Sequence, residues 1–172
     1  MQLTLSQVTI NQQTFWLGST LQGLAFVGRA NGPANEWRDL LPTATSQIDP
    51  AANQVAGRAL ADYLNGQKTE FSLPLDLSHG TPFQQQVWQA LREVPYGATW
   101  TYSELAHKLQ RPTATRAIAS AVGRNPLLMV VPCHRIVRKD GQLGGYRGGL
   151  IMKQQLQQLE RVNPTESGCK RH

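Results

Sequence analysis

The residues of this chain best suited to covalent chemistry stand together: Cys133, His134 and Arg135 follow Pro132 at the end of an apolar run over 127–131. A thiol reacts as its thiolate, and positive charge on a neighbouring histidine or arginine is expected to lower its pKa from about 8.5 toward neutrality. The proline stiffens the backbone that presents the sulfur. A cysteine in an apolar stretch is most often a small inert hydrophobe, yet an imidazole and a guanidinium placed directly after it are costly to bury without a purpose. Zinc ligation is the other chemistry open to Cys and His, but adjacent residues lack the spacing of about two to four residues found in zinc sites. The stretch therefore reads as a reactive cysteine, with no metal and no cofactor expected.

The rest of the composition sets the frame. At 172 residues and 40% hydrophobic content the chain can fold as one domain or two small ones with a real core. Seventeen Lys and Arg against eleven Asp and Glu give a net charge of +6, which suits a polyanionic partner. Cys133 and Cys169 are the only cysteines, which excludes a multi-bridge disulfide framework and suits a reducing compartment. The N-terminus has no basic segment leading into an apolar one, and no apolar run approaches membrane-spanning length. A cytoplasmic protein with no membrane association is expected.

The first part of the chain must supply a scaffold. Leu3 and Leu5, Val8 and Ile10, then 14–17 and 24–27 read as short antiparallel strands in a meander, punctuated by Asn11, Gly18, Gly23 and Gly28. Residues 29–50 hold Pro33, Pro42 and Pro50 and are predicted as loop, with one short helix around Trp37. Val55, Ala56, Ala59, Leu60, Tyr63 and Leu64 recur with helical spacing up to Asn65-Gly66. Phe71, Leu73, Leu75 and Leu77 alternate as in a half-buried strand. No cysteine falls here, and His79 reads as a solvated loop residue. The expected division is an α/β scaffold domain at 1–78, a second domain at 79–165 and a polar tail at 166–172.

After residue 79 the helix signals sharpen. Thr81-Pro82-Phe83-Gln84 sets an N-cap, a first-turn proline and a capping-box glutamine in order, with Phe83, Val87, Trp88, Leu91 and Val94 as the apolar face. Thr101 and Glu104 frame a second capping box, and Pro112 closes that helix. A third helix is predicted from Thr113, burying Ala114, Ala117, Ile118, Ala121 and Val122 and presenting Arg116, Ser120 and Gly123 on its opposite face. Two helices joined by so short a turn predict a helix-turn-helix. Its small-residue face suits either close approach to a nucleic-acid groove or packing against another helix. Residues 136–138 and 143–146, around Lys139-Asp140-Gly141, are predicted to pair as a hairpin and make the arrangement winged. Leu150, Met152, Leu156 and Leu159 mark a last amphipathic helix.

Assembled, these residues resemble the O6-alkylguanine-DNA alkyltransferases, or methylated-DNA–protein-cysteine methyltransferases, over 79–160. The resemblance is carried by Pro132-Cys133-His134-Arg135, Asn125-Pro126, Arg116, Tyr102, the Gly-Tyr-x-Gly-Gly loop at 145–149, and Glu160 near the end of the last helix. It implies a ribonuclease-H-like α/β N-terminal domain followed by a mainly α winged helix-turn-helix domain. It also implies a repair protein that flips O6-alkylguanine, and O4-alkylthymine, out of double-stranded DNA and moves the alkyl group to Cys133 once per molecule. Under that resemblance His134 takes the thiol proton through a bridging water, Glu160 holds the imidazole, and Asn125 shapes the turn and hydrogen-bonds near the cysteine. Arg135 pairs with a carboxylate behind the site. Arg116 fills the vacated base stack, while Thr113, Ser120 and Arg124 belong to the DNA face. Tyr102 serves the DNA face and, with Ile136, Tyr146 and Arg147, lines the guanine pocket.

Arg147 stands where the family usually carries a small residue. Its guanidinium, expected at the pocket lip, leaves two uses open: restricting bulky alkyl groups or contacting phosphate. Arg124 and Lys139 are open between phosphate contact and plain solvation. The chain is expected to be monomeric in solution, with cooperativity along DNA left open, and to lack the zinc module and transcriptional role of some adaptive-response relatives. Two rival readings remain. A non-catalytic lesion binder would replace the cysteine, which Cys133 opposes. A redox-sensing winged-helix regulator would need dimer-forming segments, and none is evident.

Overall fold

The computed structural model describes residues 1–163; Cys169 and the rest of the predicted tail lie outside the described residues. The N-terminal alternation forms one unbroken strand, β1 (Gln2–Ile10), rather than two. It turns through Asn11 and Gln12, both at positive φ, into antiparallel β2 (Gln13–Ser19), which pairs with β3 (Leu24–Val27). β4 (Thr45–Ile48) pairs parallel with β1, so the sheet is mixed, in the order β3-β2-β1-β4. This corrects both the pure antiparallel meander and the loop expected over 29–50. All four residues of β4 are exposed, which leaves no apolar alternation to read. A 3-10 turn at Glu36–Asp39 occupies the place of the predicted short helix.

Helix α1 (Gln54–Leu64) buries Ala56, Leu60 and Tyr63. The alternating segment beyond it is no strand. It meets the sheet through a single bridge between Leu24 and Leu75, flanking Pro74, which has no N–H with which to extend a ladder.

In the second half α2 (Pro82–Leu91) and α3 (Tyr102–Lys108) both start from complete capping boxes, on Thr81 and Thr101. β5 (Trp100–Thr101) leads directly into α3. α4 (Thr115–Gly123) leaves Thr113 in the preceding turn, and Ala117 is exposed rather than part of the buried stripe of Ile118, Ala121 and Val122. After a 3-10 turn at Cys133–Arg135, β6 (Ile136–Val137) pairs parallel with β5. The predicted hairpin is therefore overturned: residues 143–146 form no strand. Gly144 sits at φ +70°, and the carbonyls of Leu143 and Gly145 bond the Lys153 ammonium instead of a partner strand. Helix α5 (Leu150–Val162) closes the described chain.

One buried cluster runs through both halves. It joins Phe15, Leu17, Leu60 and Tyr63 to Trp88, Leu91, Leu105, Ile118, residues 127–131 and Cys133. Val27 donates its N–H to Pro126 O at 2.9 Å, so β3 touches the turn that precedes the cysteine. A smaller cluster of Leu3, Leu5, Ala25, Phe26, Trp37 and Leu41 forms separately from it.

Candidate active site

Cys133 begins the 3-10 turn and is only 5% exposed. Asn125 holds it: its Nδ2 donates to Cys133 Sγ at 3.1 Å and to Val131 O at 2.9 Å, while its Oδ1 accepts from Leu127 N at 2.9 Å. A short amide side chain suits this place because it donates and accepts within one turn. The helix end at Asn125-Pro126 is thereby tied to the sulfur.

Behind the cysteine, fully buried His134 faces Glu160, with Nε2 and Oε2 2.7 Å apart. The same oxygen accepts from Tyr63 Oη at 2.6 Å and Arg135 Nη2 at 3.0 Å; Oε1 accepts from Arg135 Nε at 2.9 Å and Gly97 N at 3.0 Å. Arg135 also donates to Val94 O at 2.7 Å and lies over the Tyr96 ring. It therefore pairs with a carboxylate, as its place in the motif implied.

Burial alone would raise the Glu160 carboxyl, but hydrogen bonds and charge from His134 and Arg135 outweigh it and hold the pKa at about 2. Burial pushes the His134 imidazole below its ordinary value against the pull of Glu160. A neutral imidazole facing an ionised carboxylate carries its proton on Nε2. The lone pair is then on Nδ1, which is buried and has no hydrogen-bond partner among the described residues.

These fields correct the expectation for the thiol. Burial pushes Cys133 up, and the Asn125 hydrogen bond and the charges of Arg147 and Lys153 offset this only in part. His134 is neutral and Arg135 is engaged by Glu160, so neither lowers the pKa as adjacency suggests. The resting residue is a protonated thiol.

Arg147 is also corrected. It does not stand free at a pocket lip: it donates to Asn125 O at 3.1 Å and Val27 O at 2.9 Å, pairs with the Glu36 carboxylate, and lies over Phe26. The cause is Glu36, a buried carboxylate that needs a cation. Arg124 reaches Asp39 O at 2.6 Å, whereas Lys139 is exposed. Arg116 and Ser120 lie exposed on α4, a helix without acidic residues, and Thr113 is exposed just before it. Tyr102 is half-buried at the start of α3, and burial raises its phenol pKa. Ile136 is buried, and the hydroxyl of half-buried Tyr146 has no partner among the described residues.

Three participants escaped the sequence reading. Lys153 is fully buried, and burial lowers its pKa to about 8; buried Gln157 donates to His134 O at 2.9 Å. Their signal was present, since Lys153, Gln157 and Glu160 repeat at helical spacing on α5 as a polar stripe facing inward. Tyr63 carried no such signal, being one apolar-face residue among several on α1.

The model of the 6-O-methylguanine DNA methyltransferase DNA-binding domain matches residues 82–162. The inducible methylated-DNA–protein-cysteine methyltransferase of Bacillus subtilis is 42% identical over 161 residues, covering 88% of this chain and 87% of that one. The regulatory protein ada of Salmonella typhimurium is 48% identical over 125 residues, covering 73% of this chain, which spans only 35% of that protein. Mycobacterium tuberculosis OGT, solved in complex with DNA, is similar with a TM-score of 0.80 at 33% identity, covering 96% of each chain. The chain that holds this buried cysteine site belongs to the methylated-DNA–protein-cysteine methyltransferase family.

Proposed function

We propose that this protein repairs DNA by transferring the alkyl group of O6-alkylguanine, and of O4-alkylthymine, to Cys133, one transfer per molecule. The observation that carries the reading is the buried chain from Asn125 through Cys133 and His134 to Glu160. A C–S bond forms to the alkyl carbon as its bond to O6 breaks. The thiol proton passes through a bridging water to His134 Nδ1, and the departing base takes up a proton in exchange. Glu160 stabilises the imidazolium that forms, in the logic of a thiol, a base and a group that orients the base. Asn125 steadies the developing thiolate, with positive charge from Lys153 and Arg147 nearby. The thioether product is stable, which makes the transfer irreversible.

A cysteine only 5% exposed has to receive its base out of the duplex. In this reading α3 and α4 act as a helix-turn-helix, and α4 approaches the minor groove, where sequence information is poor. Arg116 fills the stack, with Thr113 and Ser120 beside it; Arg124, bonded to Asp39, contributes less. Tyr102, Ile136 and Tyr146 line the pocket, and Tyr102 donates to the leaving base. The N-terminal half is read as ribonuclease-H-like, and the protein as a monomer acting without cofactor in a reducing cytoplasm.

Incubation with duplex DNA carrying O6-methylguanine, followed by intact-mass measurement, is expected to add a single methyl group on Cys133. Cys133→Ser is expected to abolish it. Tight binding to the lesion with unchanged protein mass overturns the reading in favour of a lesion binder.

A further inference from the structure

We infer that Tyr63, from the N-terminal half, is a positioning residue for alkyl transfer: its hydroxyl shares the Glu160 oxygen that holds His134, and so sets how firmly the imidazole is held. The inference rests on the reading that His134 receives the thiol proton.

Tyr63 is fully buried in the last turn of α1, with its ring edge-on to Tyr96 at 6.2 Å and tilted against Phe71 at 5.2 Å. Its hydroxyl lies 2.6 Å from Glu160 Oε2 and 3.3 Å from His134 Nε2. A single proton arrangement fits these distances. If Nε2 were bare, its lone pair would face the carboxylate at 2.7 Å, so Nε2 donates to Oε2 and the phenol donates to the same oxygen. Burial and the Glu160 charge push the phenol pKa well up, which keeps the proton on Tyr63.

The three donors on this one oxygen, His134 Nε2, Tyr63 Oη and Arg135 Nη2, compete. Each draws charge from Oε2, so the Tyr63 hydroxyl weakens the hold of Glu160 on His134 while fixing the plane in which it acts. The other groups facing this pair are Lys153 and Gln157 on α5, Arg135 on the 3-10 turn, Tyr146 in the loop before α5, and Tyr96 and the Gly97 amide in the loop after α2. All of these come from the C-terminal half. Tyr63 alone reaches the carboxylate from the half that the sequence assigned to scaffolding, and α1 is held in place by the shared core.

Tyr63→Phe keeps the ring and removes one competing donor, leaving Arg135 Nη2 in place. With O6-methylguanine duplex as substrate and the full chain, the single-turnover rate is followed from pH 5 to pH 9, and the His134 ring is observed by proton and nitrogen NMR. The His134 Nε2–H resonance is expected to move downfield, and the acid limb of the rate profile to move up by about half a pH unit. Phe71→Leu loosens the packing of the same ring but keeps the hydroxyl, and is expected to move neither. Tyr63 is no positioning residue if both signals stay at their wild-type values in Tyr63→Phe, if the rate falls equally at every pH, or if Phe71→Leu produces the same shifts. A wild-type protein that gains no methyl overturns the functional reading instead, and the His134 resonance then still decides whether Tyr63 controls the imidazole.

Discussion

The floor beneath Cys133 and the outer face of α4 are built on opposite terms. Glu160 is 3% exposed and accepts hydrogen bonds from His134, Tyr63, Gly97 and, twice, Arg135. On α4, Arg116 and Ser120 are exposed and no acid shares the helix. The floor fixes charges before a substrate arrives, which is how a buried site stabilises charge as it develops without reorganising. The helix face keeps its polar groups for a partner of any sequence. Chemistry and recognition in this protein are therefore separable by mutation, and each variant below tests that separation.

Glu160→Gln should show the largest effect. It leaves Arg135 buried without a counter-charge and deprives His134 of its carboxylate, so stability is expected to drop by about 3–5 kcal/mol. The thermal midpoint should fall by roughly 10 °C, and alkyl transfer should be lost even where the protein remains folded. The same carboxyl makes wild type acid-sensitive. Its pKa is about 2 in the folded state and about 4.3 unfolded, so the unfolded chain binds the proton first as pH falls. Stability present above pH ~4.3 is lost progressively toward pH ~2, by about 3 kcal/mol in all. His134, whose pKa burial lowers, adds a slope of the same sign from near its ordinary value of about 6.5. Denaturant melts between pH 7 and pH 3 should show this decline flattened below pH ~4.3 in Glu160→Gln. An unchanged slope would mean that the carboxylate network is not what holds the floor.

Arg147→Ala probes the seam between the floor and the sheet. It leaves Glu36 buried without its cation and removes a donor from the carbonyls of Asn125 and Val27. A loss of about 2–3 kcal/mol is expected, and the double variant Glu36→Gln/Arg147→Met should recover part of it, because a buried ion pair can be replaced by groups that carry no net charge. The preference between methyl and larger O6 groups should stay as in wild type. A changed preference at full stability would restore Arg147 to the pocket lip.

The legible parts of the molecule were those with local causes. The capping boxes at Thr81 and Thr101, the run from Pro132 to Arg135, and the periodicity of α1 and α5 each declare themselves within a few residues of sequence. What stayed hidden depends on partners far along the chain. β4 is recognisable only through its pairing with β1, and Leu143 and Gly145 fail to make a hairpin because Lys153 takes their carbonyls. Arg147 turns inward because Glu36, more than a hundred residues earlier, is buried opposite it. The thiol pKa has the same non-local cause: adjacency suggests help from His134 and Arg135, but both are turned to Glu160 and burial decides the outcome.

Arg116→Ala should be the smallest perturbation of the fold and the sharpest test of the contrast. Its side chain is exposed, so unfolding free energy should stay within about 0.5 kcal/mol of wild type. Reaction with free O6-benzylguanine, which needs no base extrusion, should proceed at the wild-type rate because every contact around Cys133 is intact. Transfer from O6-methylguanine in duplex DNA should slow on the order of tenfold, equivalent to about 1.4 kcal/mol, as the vacated stack loses the group that fills it. The ratio of the two rates is the quantity to measure, since it cancels any change in the amount of active protein. Equal losses on both substrates would tie α4 to the chemistry and remove the proposed stack-filling role of Arg116.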